Sequence, residues 1–261
     1  MTVITGASKG IGAELARQLA ARPGARLVLA ARSEKELEEV ARECRDRGAQ
    51  VLVVRCDVAL ERDCQALVSG AGVAFGRIDT FVNNAGMTMW ARFEEIGDLS
   101  ILERIMHVNY MGAVYCTRHA LPWLRQSRGV LVGVASLTAL VGVPTRSGYA
   151  ASKHAMRGFF DSLRIELDGS GVAVTMVYPG FVATGIRENA AGPDGKPIRV
   201  SPVKESEVMS VETCAARIVR AIDRREREVV MTARGKIGAW LKLLAPSLVD
   251  RIARRAIEQG R

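Results

Sequence analysis

The sequence predicts an α/β chain, a doubly wound parallel sheet of six to seven strands with helices on both faces. Three observations predict it. Short apolar runs rich in β-branched residues alternate with helical patterns from one end to the other. The turns between them are short, as strand–helix–strand units require. At 261 residues and 48% hydrophobic composition the chain can bury one large core, so residues 1–261 are expected to form a single domain.

Taken in order, Thr2–Thr5 reads as a strand and residues 11–21 as the helix after it. Residues 26–31 form the second strand, and 34–47 a charged amphipathic helix. The third strand covers 51–56 and its helix 61–75; the fourth covers 80–83, followed by one long helix over 99–126. The fifth strand is 129–135 with a helix over 149–167, the sixth is 172–178, and a seventh falls at 228–232.

Two segments break this rhythm. Residues 184–210 carry Gly185, Gly192, Pro193, Gly195, Pro197 and Pro202, and read as a long loop that serves as a lid or binding loop. In the tail, 236–261, Ile237, Trp240, Leu241 and Leu244 share one face, as do Leu248, Val249, Ile252 and Ala256 after Pro246. Packing against the core or a second subunit is the first expectation for these faces. Peripheral contact with an anionic membrane is the second.

The net charge is +9, and residues 217–261 hold twelve basic against five acidic side chains. A solvated basic face explains that excess most simply. No zinc-finger spacing or aromatic-rich basic motif accompanies it, so nucleic acid is not an expected partner. No run of apolar residues is long enough for a membrane span, and with the first strand starting at Thr2 a signal peptide is not expected. Cys44, Cys56, Cys64, Cys116 and Cys214 lack CxxC spacing and read as reduced thiols of a cytoplasmic protein with no metal site. His107, His119 and His154 are scattered.

The chemistry is carried by Tyr149 and Lys153, four residues apart and so on one helix face, with Ser136 upstream. A cation beside a phenol favours the phenolate and prepares Tyr149 to act as a general acid or base. At the other end of the chain, Thr5-Gly6-Ala7-Ser8-Lys9-Gly10-Ile11-Gly12 lies between strand and helix. Such a turn brings a pyrophosphate against amide N–H groups at a helix N-terminus. The second strand ends at Ala31-Arg32-Ser33, where a site for NAD would place a carboxylate for the ribose hydroxyl. Arg32 and Lys9, with no carboxylate seen beside them, suit the 2′-phosphate of NADP(H). Asp57 is placed to accept from the adenine amino group.

Together these residues resemble the short-chain dehydrogenase/reductase family, over residues 5–184. The turn at 5–12 is similar to the family's cofactor turn, and Asp57-Val58 to its adenine contact. Asn83-Asn84-Ala85-Gly86 resembles its NNAG element, and Asn109 its structural asparagine. Ser136 and Tyr149-x-x-x-Lys153 have its catalytic spacing. Pro179-Gly180, with Val182 and Thr184, resembles the segment that contacts the nicotinamide. The resemblance implies a Rossmann-like fold and a four-residue active site of Asn109, Ser136, Tyr149 and Lys153. It further implies that NADPH gives a hydride to a ketone or aldehyde. Ser136 would bond the carbonyl oxygen and Tyr149 donate the proton. Lys153 would lower the tyrosine pKa and hold the nicotinamide ribose, and Asn109 would fix a helix kink and a proton-relaying water. Family members are commonly homodimers or homotetramers.

The expected pocket is apolar: Met87, Met89 and Trp90, then Leu137, Leu140, Val141 and Val143, then Phe181 and Val182. No arginine stands out among these positions, so a hydrophobic carbonyl or alcohol is the expected substrate. Two other readings stay open: a dehydratase or epimerase on the same fold, and a cofactor-binding regulator without turnover.

Overall fold

Alternation of side chains along the central strands sets the layers. In the computed structural model, which describes residues 1–201, 203 and 208–258, β1 (Thr2–Thr5) pairs in parallel with β2 (Arg26–Ala31) and β4 (Thr80–Asn83). Val3 and Phe81 enter one core while their neighbours Ile4 and Val82 enter the other, the period-2 consequence of the pleat. With β3 (Gln50–Arg55), β5 (Val130–Val134), β6 (Ala173–Tyr178) and β7 (Glu228–Val230) the sheet has seven parallel strands, in the order β3-β2-β1-β4-β5-β6-β7.

One face carries α1 (Gly10–Ala20), α2 (Glu34–Asp46) and α7 (Val211–Arg224), which bury Leu15, Leu37 and Ile218 against it. The other carries α3 (Glu61–Phe75), α5 (Gly112–Ser127) and α6 (Ser147–Glu166), which bury Leu67, Cys116 and Phe160. Both faces of the strands are therefore dry, which is why they read as continuous apolar runs. The chain winds outward from β1 to β3, then crosses back to place β4 on the other side of β1. The crevice of such a sheet lies beyond the carboxyl ends of the strands at this switch point.

Three features differ from the sequence expectation: the break in the helix over 99–126, the helix α7, and the exposure of the tail. The helix expected over 99–126 is divided into α4 (Ser100–Met106), a π-helical turn at His107–Met111, and α5. Helix α7 was not anticipated at all. Its start is capped by Ser210, whose hydroxyl accepts from the Thr213 amide at 3.2 Å. The long loop expected after β6 is present, held down by isolated bridges that pair Met89 with Ala191 and Val182 with Met209. Its Pro202 lies outside the described residues.

The tail forms α8 (Ala233–Leu244) and α9 (Pro246–Glu258); of the apolar faces expected to pack, Val249 is buried, but most of the other members are not. Ile237, Trp240, Leu243, Leu244 and Ile252 are exposed. What turns inward is Gly235, where a Cβ would stand 2.4 Å from Leu137 Cδ2, and Ala239 one helical turn on. Residues 259–261 of the tail lie outside the described residues. Among the described residues no helix is long and apolar enough to cross a membrane, and all five cysteines are buried without a disulfide.

Candidate active site

The turn between β1 and α1 passes through Gly6 and Gly10, at φ of +66° and +55°, angles that L side chains rarely adopt. Gly12 is required by space, since a Cβ there would stand 2.3 Å from the Gly6 carbonyl oxygen and 2.6 Å from Asn84 Nδ2. Thr5 locks this turn to the segment after β4. Its hydroxyl accepts from the amides of Asn84 and Ala85 at 3.0 and 3.1 Å and donates to the Val82 carbonyl at 3.2 Å. Asn84 Nδ2 returns bonds to the carbonyls of Thr5 and Gly6 at 2.9 and 3.1 Å. Thr184 closes over the turn, 3.0 Å from where a Cβ of Gly10 would lie. This is a cradle that side chains would fill, at the positive end of α1, and it fits a dinucleotide pyrophosphate.

Arg32 follows β2, exposed, and makes no ion pair among the described residues, while Ser33 caps α2 by accepting from the Glu36 amide at 3.5 Å. The expectation that no carboxylate stands here is corrected. Glu36, in the first turn of α2, pairs with Lys9 Nζ at 2.6 Å. The cap places it there: the first turn of α2 folds back toward the glycine turn, so a residue five positions beyond strand β2 returns to its end. Asp57 Oδ1 accepts from the Ala59 amide at 3.1 Å, and Val58 is buried against Gly112.

The catalytic candidates gather at the carboxyl ends of β4 and β5. Ser136 follows β5 and opens the 3₁₀ turn Leu137–Ala139, accepting from the Thr138 amide at 3.2 Å. It is also near enough to Tyr149 to favour the phenolate. Lys153, one turn along α6, places its ammonium 5.9 Å from the Tyr149 ring centre and donates to the Val134 carbonyl at 2.9 Å. Gly86 lies against Asn109 and Lys153: a Cβ there would stand 3.2 Å from Asn109 Oδ1 and 3.6 Å from Lys153 Nζ. Asn109 sits in the π-helical turn, where its amide accepts from Met87 N at 2.8 Å and donates to Met87 O and Ser152 Oγ, both at 2.9 Å. Ser152 in turn donates to the Tyr149 carbonyl at 2.7 Å. One buried amide thus fastens the segment after β4, the broken helix and the tyrosine turn of α6 together. Pro179 joins through its carbonyl, which accepts from Leu137 N at 2.9 Å, and Gly180 packs beside Leu137 and Thr232.

The protein groups alone do not depress the tyrosine as expected. Burial pushes the Tyr149 phenol up, and two groups oppose it, Arg146 by its charge and Ser136 by its hydroxyl. Burial also brings the Lys153 ammonium down to about 8.

The wholly apolar pocket is the second correction. Met89, Leu140 and Val182 are buried in the core. Arg146, three residues before Tyr149 and so on its side of the helix, is 5% exposed and stands among the expected pocket residues. Its guanidinium carbon lies 4.4 Å from the Trp90 ring centre, 5.5 Å from that of Phe181 and 5.7 Å from that of Tyr149. The three-residue spacing to Tyr149 was the one signal that could have found it.

Comparison with known proteins agrees with this geometry. The family profile described as short chain dehydrogenase matches residues 1–193. An 11-beta-hydroxysteroid dehydrogenase A of Sesamum indicum is 40% identical over 260 residues, covering 97% of this chain and 74% of that protein. A dehydrogenase/reductase SDR family protein 7-like of Dictyostelium discoideum is 35% identical over 256 residues, covering 96% and 79%. Among solved structures, a levodione reductase superposes with a TM-score of 0.77 at 27% identity, over 88% of this chain and 94% of that one. An alcohol dehydrogenase from the archaeon Thermococcus sibiricus, complexed with 5-hydroxy-NADP, gives 0.73 at 27%, over 87% and 94%.

Proposed function

Because the chain belongs to the short-chain dehydrogenase family of oxidoreductases, we propose that it interconverts a ketone or aldehyde and its alcohol with NADP(H), on a substrate with a largely apolar body. The observation that carries this reading is the convergence of Ser136, Tyr149 and Lys153 beside the glycine cradle. Bound NADP(H) would supply or accept the hydride. Gly6, Ser8, Gly10, Ile11 and Gly12 would hold its pyrophosphate, with Arg32 and Lys9 on the 2′-phosphate and Asp57 on the adenine. Ser136 orients the carbonyl oxygen. Tyr149 moves the proton to or from it, and Lys153 and Asn109 hold the tyrosine turn. The names of the relatives, hydroxysteroid dehydrogenases among them, support an apolar substrate body, as do half-buried Trp90, Leu137 and Phe181.

The reading extends to a cytoplasmic homodimer or homotetramer, supported by five thiols without a disulfide and by the exposed apolar faces of α8 and α9. The test is to follow cofactor absorbance with NADPH or NADH and a panel of ketones. Turnover lost in Tyr149→Phe supports the reading, and tight cofactor binding with no oxidation on any ketone refutes it. Arg32→Ala should raise KM for NADPH roughly tenfold more than for NADH; an equal effect on both would refute the cofactor assignment.

A further inference from the structure

Arg146 presents a problem that the proposed reaction leaves unsolved. Its Nη1 donates to Thr88 Oγ1 at 3.2 Å, but Nε and Nη2 are buried with no hydrogen-bond partner. No carboxylate pairs with it among the described residues. Burial is costly enough to bring its pKa down to about 10, and the neighbouring charge of Arg187 works in the same direction. A buried donor left unmet costs roughly 1–3 kcal/mol, and more on a charged group. The stacked rings of Trp90, Phe181 and Tyr149 offset part of that through their π faces, but they satisfy no N–H.

Two details indicate what is missing. The two unmet nitrogens form one edge of the guanidinium, the planar two-donor fork that matches the two oxygens of a carboxylate. The backbone is also held in an unusual state to place it. Thr145, a β-branched residue, sits at φ of +65° directly before Arg146, and its carbonyl is fixed by the Ala91 amide at 3.1 Å.

We propose that Arg146 reads the substrate: its Nε–Nη2 edge receives a carboxylate that the substrate carries a few bonds from its reacting carbonyl, on an otherwise apolar body. The site would then take oxo acids or hydroxy acids with an aryl or alkyl group. This deepens the carbonyl–alcohol reading and rests on it. Half-buried Trp90 and Phe181 flank the guanidinium and give way as the ligand enters, so the ion pair forms away from water, where charge-assisted bonds are strongest. The carboxylate would lie beside Tyr149, fixing which carbonyl oxygen meets the phenol.

The experiment compares phenylglyoxylate and benzoylpropanoate with their methyl esters, in the wild type, Arg146→Met and Arg146→Lys, reading the acid-to-ester ratio of kcat/KM. The wild type should favour the acid by roughly a hundredfold, Arg146→Met should erase that ratio, and Arg146→Lys, a point charge without the fork, should fall between them. Calorimetry with phenylacetate and phenylacetamide in the presence of NADP⁺ supplies a readout without turnover. Only the carboxylate should bind, and only with Arg146 intact. A wild type with no acid preference, or a ratio unchanged in Arg146→Met, overturns the proposal even if every neutral ketone is reduced. Absence of turnover on all ketones refutes the carbonyl–alcohol reading instead. Calorimetry then decides Arg146 alone, and phenylacetate binding that is unchanged in Arg146→Met, or weaker than about 10 mM in the wild type, overturns it.

Discussion

Replacing Lys153 with methionine should make the protein more stable at neutral pH while abolishing turnover. Methionine keeps an unbranched apolar stem in the same space and removes the charge. Burial holds the ammonium at about 8 against 10.5 for a free lysine, which corresponds to roughly 3 kcal/mol of folding free energy spent on a buried charge. Against that gain, the Val134 carbonyl loses its 2.9 Å donor, worth roughly 1–2 kcal/mol. The net advantage of the variant near pH 7 is therefore about 1–2 kcal/mol. Its pH dependence is the sharper test. Below about 8 the folded lysine is charged and the penalty is complete. Between about 8 and 10.5 the unfolded chain holds a proton that the folded chain has released, so wild-type stability climbs through this window. Above it the penalty is gone, and the variant keeps only its orphaned carbonyl. Urea denaturation of both proteins across that range, compared as a difference, cancels the opposing contribution of the raised Tyr149 phenol. A difference that stays flat with pH, or a variant less stable than wild type at neutral pH, would refute the account of Lys153 as a buried charge retained for function.

Two further outcomes follow from the same geometry. Asn109→Ala removes three hydrogen bonds and leaves both main-chain groups of Met87 unmet, so urea denaturation should show a loss of about 3 kcal/mol or more; a loss under about 1 kcal/mol would mean that the π-helical turn is held by other contacts. Glu36→Gln frees Lys9 from an ion pair whose lysine is 71% exposed, so stability should change by less than about 0.5 kcal/mol. Steady-state kinetics should show KM for NADPH falling about two- to fivefold with that for NADH little changed, and a rise in KM for NADPH would reverse the role assigned to Lys9.

What could be read in advance was whatever the chain encodes locally. The strand Thr80–Asn83 and the helix Glu61–Phe75 were legible to the residue, because a buried β-branched run and a periodic apolar stripe each name their own conformation. The glycine cradle was legible for the same reason: Gly6, Gly10 and Gly12 are demanded by backbone angles and by space within one turn. Helix α7 was missed although its signal was present. Cys214, Ala215, Ile218, Ala221 and Ile222 mark its buried face, opposite a face of charged residues.

The unreadable features all depend on partners distant in sequence. The family resemblance implies a helix kink at Asn109, but no local pattern in His107–Met111 shows that it takes the form of a π-helical turn. The break is held by bonds from Asn109 to Met87, twenty-two residues upstream, and to Ser152, forty-three downstream. The tail's periodicity correctly joins Ile237, Trp240 and Leu244 on one face, yet a period carries no direction. That face points outward because the opposite one, at Gly235, lets the helix approach Leu137 beside Ser136. Arg146 follows the same logic. Sequence spacing places it on the side of Tyr149, but only the fold brings Trp90 and Phe181 around it and leaves its fork without a partner. The catalytic residues of such a chain are legible because chemistry fixes their spacing within one helix and one turn. Residues that select the substrate are assembled from several segments, so an isolated buried charge in the folded chain is the more direct evidence of what the site is built to meet.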